Sequence, residues 1–529
     1  LLADLGVLYL RFTWPAALAD AAGVPDVTSA WRGFGEGAQT RHDLFHADLP
    51  PSLVQQSLAE FHRGLDDDDP RPGLHVLHLL LPHMPWVYGP SGRQYAALTT
   101  ERPEGTVQEF WEEDPWITLQ GHQAHLLQVA YTDRELGRIL DHLQSRGLFD
   151  RSLVVVTSDH GAAFLHGDNR RRVSPANHPD ILGVPLFIKE PGQREGRVHD
   201  TNVESIDLLP ILAGRLGIEL PWPVDGTDLL APGAQPRPRK LALDLDHERA
   251  IALEPTLDGL MAAAARTVDR FGDDLPGLYA LGPRPDLLGR DLGDLGAGPA
   301  AGPAVELDHP WLFQRLDPED PAAFLPSKVE GHLASDPEGG GIDLALAVEG
   351  RICATTRALP RRGGVRFSAM VPDSCFHSGA NEVAVARIDG DRLSLLPRSD
   401  LALQLPWTLE PAADGDRLVD PSGRSLEVGQ GLRGAVWKDD VGAAGWAADL
   451  DAGESADHLV VFRNGSWLAT VPVDLGTPAL RQRHGAPGLG ASGFRLPLPE
   501  TAGDSEPPLR LFAVRAGSAA EVPWVRPAP

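Results

Sequence analysis

The chain has 529 residues, 42% of them hydrophobic, and its acidic residues outnumber the basic ones to give a formal net charge of −27. That length exceeds what one hydrophobic core serves, so two to four domains are expected. The acidic balance excludes a nucleic-acid partner, because a phosphate backbone asks for a basic face. Glycine and proline number 56 and 48, which favours turns and β-rich parts. No apolar run nears the ~20 residues that cross a bilayer. No signal peptide is visible and the first residues are Leu1-Leu2, so the chain reads as a piece of a longer protein.

In chain order, Gly73 to Pro82 reads as a buried strand that opens into the loop His83-Met84-Pro85-Trp86, with His75 and His78 as satisfied core histidines. Asp66 to Asp69 reads as a solvated charge run. Gln120 to Arg146 places apolar residues at helical spacing and stops at Gly147. A short strand over Leu153 to Thr157, a second over Val184 to Lys189 and a helix over Glu204 to Ala213 complete a strand–helix alternation. That pattern implies an α/β domain over residues 1–230 with a largely parallel sheet.

Residues 231–327 are breaker-rich around one helix near Leu257 to Arg270 and read as a connector. The remainder repeats itself. Asp343 to Thr356, with its Glu349-Gly350 turn, aligns with His458 to Val471, with Asn464-Gly465. Gly364 to Phe367 parallels Gly493 to Leu496, Asn381 to Ala386 parallels Pro508 to Ala513, and a helical insert falls at Pro478 to His484. Two small antiparallel β-modules, 328–400 and 401–529, are expected, sandwich-like and in either a structural or a sugar-binding role. Cys353 and Cys375 form one disulfide or remain two buried thiols.

The chemistry concentrates at Thr157-Ser158-Asp159-His160-Gly161. Ligands of open α/β sheets sit beyond strand ends, where an Asp-His pair suits a divalent cation. The plainer alternative makes Asp159 a helix cap and His160 a surface residue. His83 follows its own strand, either as a loop histidine or as a donor to an anionic oxygen or leaving group.

Together, Leu79 to Trp86, Val154 to Gly161, Val184 to Gly192, Val203 to Pro210 and Val224-Asp225-Gly226 resemble the sulfatase-like branch of the alkaline phosphatase superfamily, which includes arylsulfatases, lipoteichoic-acid synthases and phosphoethanolamine transferases. The resemblance implies an alkaline-phosphatase-like, mostly parallel sheet with flanking helices. Asp159 and His160 become ligands of calcium, manganese or zinc, and His83 and more loosely His166 catalytic residues; Lys189 is a weaker candidate. It also implies a hydrolase or transferase of sulfate or phosphate esters, such as envelope lipid or polymer head groups. The location would be extracytoplasmic, with a membrane anchor outside this chain. The family's nucleophile, a hydroxyl or formylglycine, is expected upstream, since neither Cys353-Ala-Thr-Thr-Arg357 nor Cys375-Phe-His-Ser-Gly379 fits its motif. Two further readings remain: a catalytically inactive envelope binding or scaffold protein, and a two-zinc phosphatase using His178 and Asp180.

Overall fold

The structure is a computed structural model that describes residues 51–525 except 67–72, 96–105, 108, 236, 244–249, 254–255, 315, 322, 335–340, 362–363, 400–405, 412–414, 430, 440–441, 464, 474 and 498–508. Most of the expected acidic loop and Asn464 of the second hairpin turn thus lie outside the described residues. Two compact units are present, one within Leu1–Pro85 and Leu98–Glu104, the other within Trp86–Ala97 and Gly105–Pro529.

In the first unit, helix α1 (Pro51–Leu65) buries Leu58 and Leu65 one heptad apart on a single face. The strand expected over 73–82 does not form. Residues 73–80 run without regular structure, Leu74 and Val76 are 90% and 75% exposed, and His75 and His78 are exposed rather than buried in a core. A strand forms only where a neighbour takes up its N–H and C=O groups, and no described strand pairs with this run.

The second unit begins with the short pair β1 (Thr106–Val107) and β2 (Phe110–Trp111), followed by helix α2 (Pro115–Ser145). The helix starts five residues before the periodic apolar stretch, because Asp114 caps the Trp116 N–H at 2.9 Å and Pro115 fits the first turn. It ends at Gly147 (φ 65°), where the Gly147 and Leu148 N–H groups take the Gln144 and Leu143 carbonyls. Leu127 and Gln128 are fully buried, and the Gln128 Oε1 accepts from the Val87 and Tyr88 N–H groups.

Next come β3 (Val154–Thr157), α3 (His178–Leu182), β4 (Leu186–Lys189) and α4 (Leu208–Leu216). The expected mostly parallel sheet is not found among the described residues. β3 pairs β4 antiparallel, Val154 opposite Lys189 and Thr157 opposite Leu186. The chain leaves β3, turns through residues 158–185, which include the short α3, and returns directly beside it in the antiparallel sense.

Ahead of α4, Asp207 is fully buried and binds Arg237 through two hydrogen bonds of 2.6 and 2.7 Å while accepting from the Glu204 and Thr227 N–H groups. Gly226 passes so close that a Cβ there would stand 1.9 Å from the Ile206 carbonyl oxygen. The hairpin β5 (Lys240–Leu243) and β6 (Ala250–Leu253) and helices α5 (Asp258–Phe271) and α6 (Leu275–Tyr279) follow.

A seven-stranded antiparallel sheet comes next, built from β7 (Val305–Leu307), β8 (Lys328–Leu333), β9 (Ile342–Val348), β10 (Arg351–Arg361), β11 (Gly364–Met370), β12 (Val383–Asp389) and β13 (Arg392–Leu395). Its order is β13-β12-β9-β10-β11-β8-β7, so it reaches back to Val305, ahead of the expected boundary at 328. Leu344, Leu346 and Phe367 face one core on this sheet, Ala345, Ala347 and Ile352 another. Cys353 and Cys375 are joined in a disulfide with Cα atoms 6.3 Å apart.

Asp373 ties this sheet region to an earlier segment. Its two oxygens accept from Ser91 Oγ (2.5 Å) and Ser327 Oγ (2.9 Å), with Arg93 at 3.7 Å. Arg93 also donates to the Pro318 carbonyl, and the Leu325 N–H to that of Gln94.

The last region stacks three sheets. Strands β14 (Thr408–Glu410), β15 (Arg417–Val419) and β16 (Ser425–Glu427) form one. Strands β17 (Arg433–Asp439), β18 (Gly442–Asp449) and β19 (Glu454–Ser455) form a second, joined after β20 (His458–Arg463), β21 (Ser466–Pro472) and helix α7 (Pro478–His484) by β22 (Gly493–Pro497). The third is β21-β20-β23-β24, with β23 (Arg510–Arg515) and β24 (Ser518–Val522). Leu459, Val461 and Leu511 meet Val436 and Phe494 across one interface, while Val460, Phe462 and Phe512 pack on Trp407 and Leu418 across the other. The hairpins β9–β10 and β20–β21 carry a one-residue bulge at the same offset, Cys353 in one and Leu468 in the other.

Candidate metal centre and active-site residues

The loop after β3 is knitted to its surroundings by backbone and amide hydrogen bonds. Asn177, fully buried, donates to the Asn169 and Arg172 carbonyls and accepts from the Ser174 N–H. Asn169 accepts from the N–H groups of Arg171 and Arg172. Arg170, itself buried, forms an ion pair with Glu109 at 2.5 Å, and the Trp111 indole donates to the Ala163 carbonyl at 2.8 Å. Gly161 donates to the Ile181 carbonyl at 2.7 Å, and a Cβ on it would lie 2.1 Å from the Asp180 carbonyl oxygen. Only glycine lets the chain turn that close to its neighbour.

Beneath this loop lies an aromatic cluster. Phe164 stacks on the His122 ring at 4.3 Å and contacts Trp86, Trp111 and His125. Burial, with the neighbouring His125, pushes the His122 imidazole down to about 3, so it is neutral wherever the protein is folded at ordinary pH.

Asp159 and His160 sit at the head of the loop. The His160 Nδ1 lies 2.7 Å from the Gly161 carbonyl and its Nε2 lies 2.8 Å from Arg171 Nη2. A guanidinium has donors only, so Nε2 accepts and Nδ1 carries the proton it gives to Gly161. Asp159 Oδ1 accepts the His160 N–H at 2.8 Å, and Oδ2 comes within 3.7 Å of His160 Nε2. Burial alone would raise the Asp159 carboxyl, but the hydrogen bonds from the His160 N–H and the Ser158 hydroxyl help hold the group below the usual carboxylate range.

Asp159 Oδ2 and His160 Nε2 are the two donors here that one cation could share. Two donors each about 2.0–2.6 Å from one ion stand roughly 3–4 Å apart, and Oδ2 and Nε2 do so, with a positively charged guanidinium already against Nε2. Among the described residues no cluster of three or more His, Cys, Asp or Glu side chains is placed to share an ion.

His166 is exposed on the turn that the Asp168 N–H closes onto Leu165. His83 belongs to the first unit, is exposed there, and has Nδ1 2.6 Å from the Met84 carbonyl. Lys189 points away to the Phe149 and Ser152 carbonyls and over the Phe149 ring, which makes it a structural residue. Asp180 pairs with Arg266 at 3.7 Å, and burial raises its carboxyl. The two-zinc reading through His178 and Asp180 finds no shared cluster among the described residues. Arg171 was missed from sequence, although three consecutive arginines in so acidic a chain were a signal.

Residues 25–218 match the Sulfatase family model. Through this segment, which is less than half of the chain, it is similar to sulfatases. It is 28% identical over 187 residues to the ulvan-active sulfatase of Formosa agariphila, covering 34% of this chain and 35% of that protein. It is 26% identical over 219 residues to the choline-sulfatase of Rhizobium meliloti, covering 36% and 41%. A solved phosphonate monoester hydrolase from Silicibacter pomeroyi is 32% identical over 24% of this chain and 26% of its own, with a TM-score of 0.22. The chain thus spans about a third to two-fifths of the length of the curated relatives it matches.

Proposed function

We propose that the chain supplies the Asp159–His160 half of a metal site to a hydrolase or transferase that acts on sulfate or phosphate esters. The observation that carries this reading is the convergence of Asp159 Oδ2 and His160 Nε2 to 3.7 Å at a strand end, inside the family segment. A calcium, manganese or zinc ion held there would act as a Lewis acid toward an ester oxygen. The chain's own contribution is orientation: Gly161 and Arg171 fix the His160 tautomer, and the His160 N–H holds Asp159 Oδ1 in place. His166 is assigned to a substrate oxygen, and attack to a hydroxyl or formylglycine outside the described residues. The disulfide supports an extracytoplasmic setting, and no helix among the described residues is long and apolar enough to cross a membrane.

A second reading, a binding or scaffold protein without turnover, is favoured by Arg171, whose guanidinium stands against the Nε2 that a cation would use. Manganese binding followed by electron paramagnetic resonance, together with hydrolysis of 4-nitrophenyl sulfate and phosphate, separates the two. The enzyme reading expects one bound manganese, lost in Asp159→Ala and His160→Ala. Undiminished manganese binding in Asp159→Ala would overturn it; metal binding without turnover in a chain extended to carry the nucleophile favours the scaffold.

A further inference from the structure

The outer face of the β17–β18–β22 sheet departs from the usual composition of a solvated sheet. In β18, Ala443, Gly445 and Ala447 point inward and are buried, while Ala444 and Trp446 point outward and are half-buried. In β17, Val436 is fully buried and Ala435 and Trp437 are half-buried. The inward set joins the core with Phe494 and Leu496 of β22. A sheet face turned to water ordinarily carries polar side chains, yet here two tryptophans stand among alanines.

Register fixes how they lie. Trp446 is directly opposite Ala435 and Trp437 directly opposite Ala444, so the tryptophans are diagonal neighbours on one face, about 7–8 Å apart at the backbone. Ala435 and Ala444 are too short to cover the indoles from the side. Arg495 flanks the pair across Ala444 on β22, and Arg433 flanks it two positions before Ala435 on β17. Two half-buried indoles on one face, with arginines at neighbouring register positions, suit a ligand with apolar faces and an acidic or hydroxylated rim.

We propose that this face is a polysaccharide-binding platform: Trp437 and Trp446 stack on the C–H faces of sugar rings, and Arg433 and Arg495 hydrogen-bond occasional carboxylate or sulfate groups. Indoles supply apolar area and an N–H donor at small entropic cost, and a guanidinium fork matches an anionic oxygen pair. The chain's charge of −27 repels a dense polyanion, so the ligand is a sparsely charged chain whose acidic groups meet the two arginines. The proposal does not depend on the metal-site reading.

The test is affinity electrophoresis of the full chain through native gels containing low-substitution carboxymethylcellulose, partly esterified pectin or neutral hydroxyethylcellulose. The wild type is expected to be retarded by an acidic polymer. Trp437→Ala and Trp446→Ala weaken that binding roughly tenfold each, and Trp446→Phe recovers part of it. Arg433→Ala combined with Arg495→Ala brings retardation by the acidic polymers down to that by the neutral one. Thermal unfolding confirms that the variants are folded. No retardation by any polymer, or equal retardation of wild type and both tryptophan variants, overturns the proposal. So does a wild-type dimer that Trp446→Ala converts to monomer, which would make the face a contact between copies.

Discussion

Deleting the Asp207 carboxylate should unfasten the segment before α4 from the turn at Thr227. The side chain is fully buried and takes two hydrogen bonds from Arg237 and one each from the Glu204 and Thr227 N–H groups. Removing one partner of a buried ion pair costs about 3–5 kcal/mol. The Arg237 side chain is 19% exposed and regains some water, which puts Asp207→Ala near the lower end, about 3 kcal/mol. Burial would raise this carboxyl, but the Arg237 fork and the two N–H groups outweigh it and hold it below the usual range. Its stabilisation is therefore complete above the unfolded-state value of about 3.9 and is lost as pH falls through the lower folded-state value. Urea unfolding by circular dichroism, with hydrogen exchange at the Glu204 and Thr227 amides, should show the full deficit at pH 7 and a shrinking one below about pH 4. Wild-type resistance to urea at pH 7, or a deficit that stays constant into strong acid, would refute the reasoning.

Three further outcomes are expected. Arg171→Ala should tighten manganese binding at Asp159 and His160 about three- to tenfold, since a guanidinium no longer competes for Nε2; calorimetry showing weaker binding would reverse its role. Gly161→Ala should cost at least about 2 kcal/mol in urea unfolding and weaken manganese binding, because the Asp180 carbonyl must retreat from the new Cβ. Reducing the Cys353–Cys375 bond, whose partners are 22 positions apart, should lower stability by about 3 kcal/mol, read as a fall in unfolding temperature with dithiothreitol.

The sequence was most informative where a local rule has no competitor. The long helix, β3, the Glu349-Gly350 hairpin and the insert at Pro478–His484 all follow from periodicity, caps and turn chemistry. The Asp-His pair was legible because its two donors are adjacent in the chain and the strand before it sets their position. Sheet partners were not legible. The apolar pattern of Val154–Thr157 is the same whether its neighbour runs parallel or antiparallel, and Gly73 to Pro82 has a strand's composition without a strand's partner. Arg171 escaped notice because its contact with His160 depends on how Asn169 and Asn177 fold the intervening loop. The resemblance of Val203 to Pro210 and of Gly226 acquires a physical basis: these residues build the Asp207 joint and the close pass beneath it.

Asp373 bears on how this chain can be divided. A genetic rearrangement that transplanted the β-rich portion from residue 328 onward would remove Ser91, Arg93 and Ser327 from around that carboxylate. The transplanted piece would inherit an anion whose neutralising company stayed behind. The smallest portable cassette therefore has to include the Ser91–Arg93 turn, and recombination breakpoints should avoid the interval between it and Asp373.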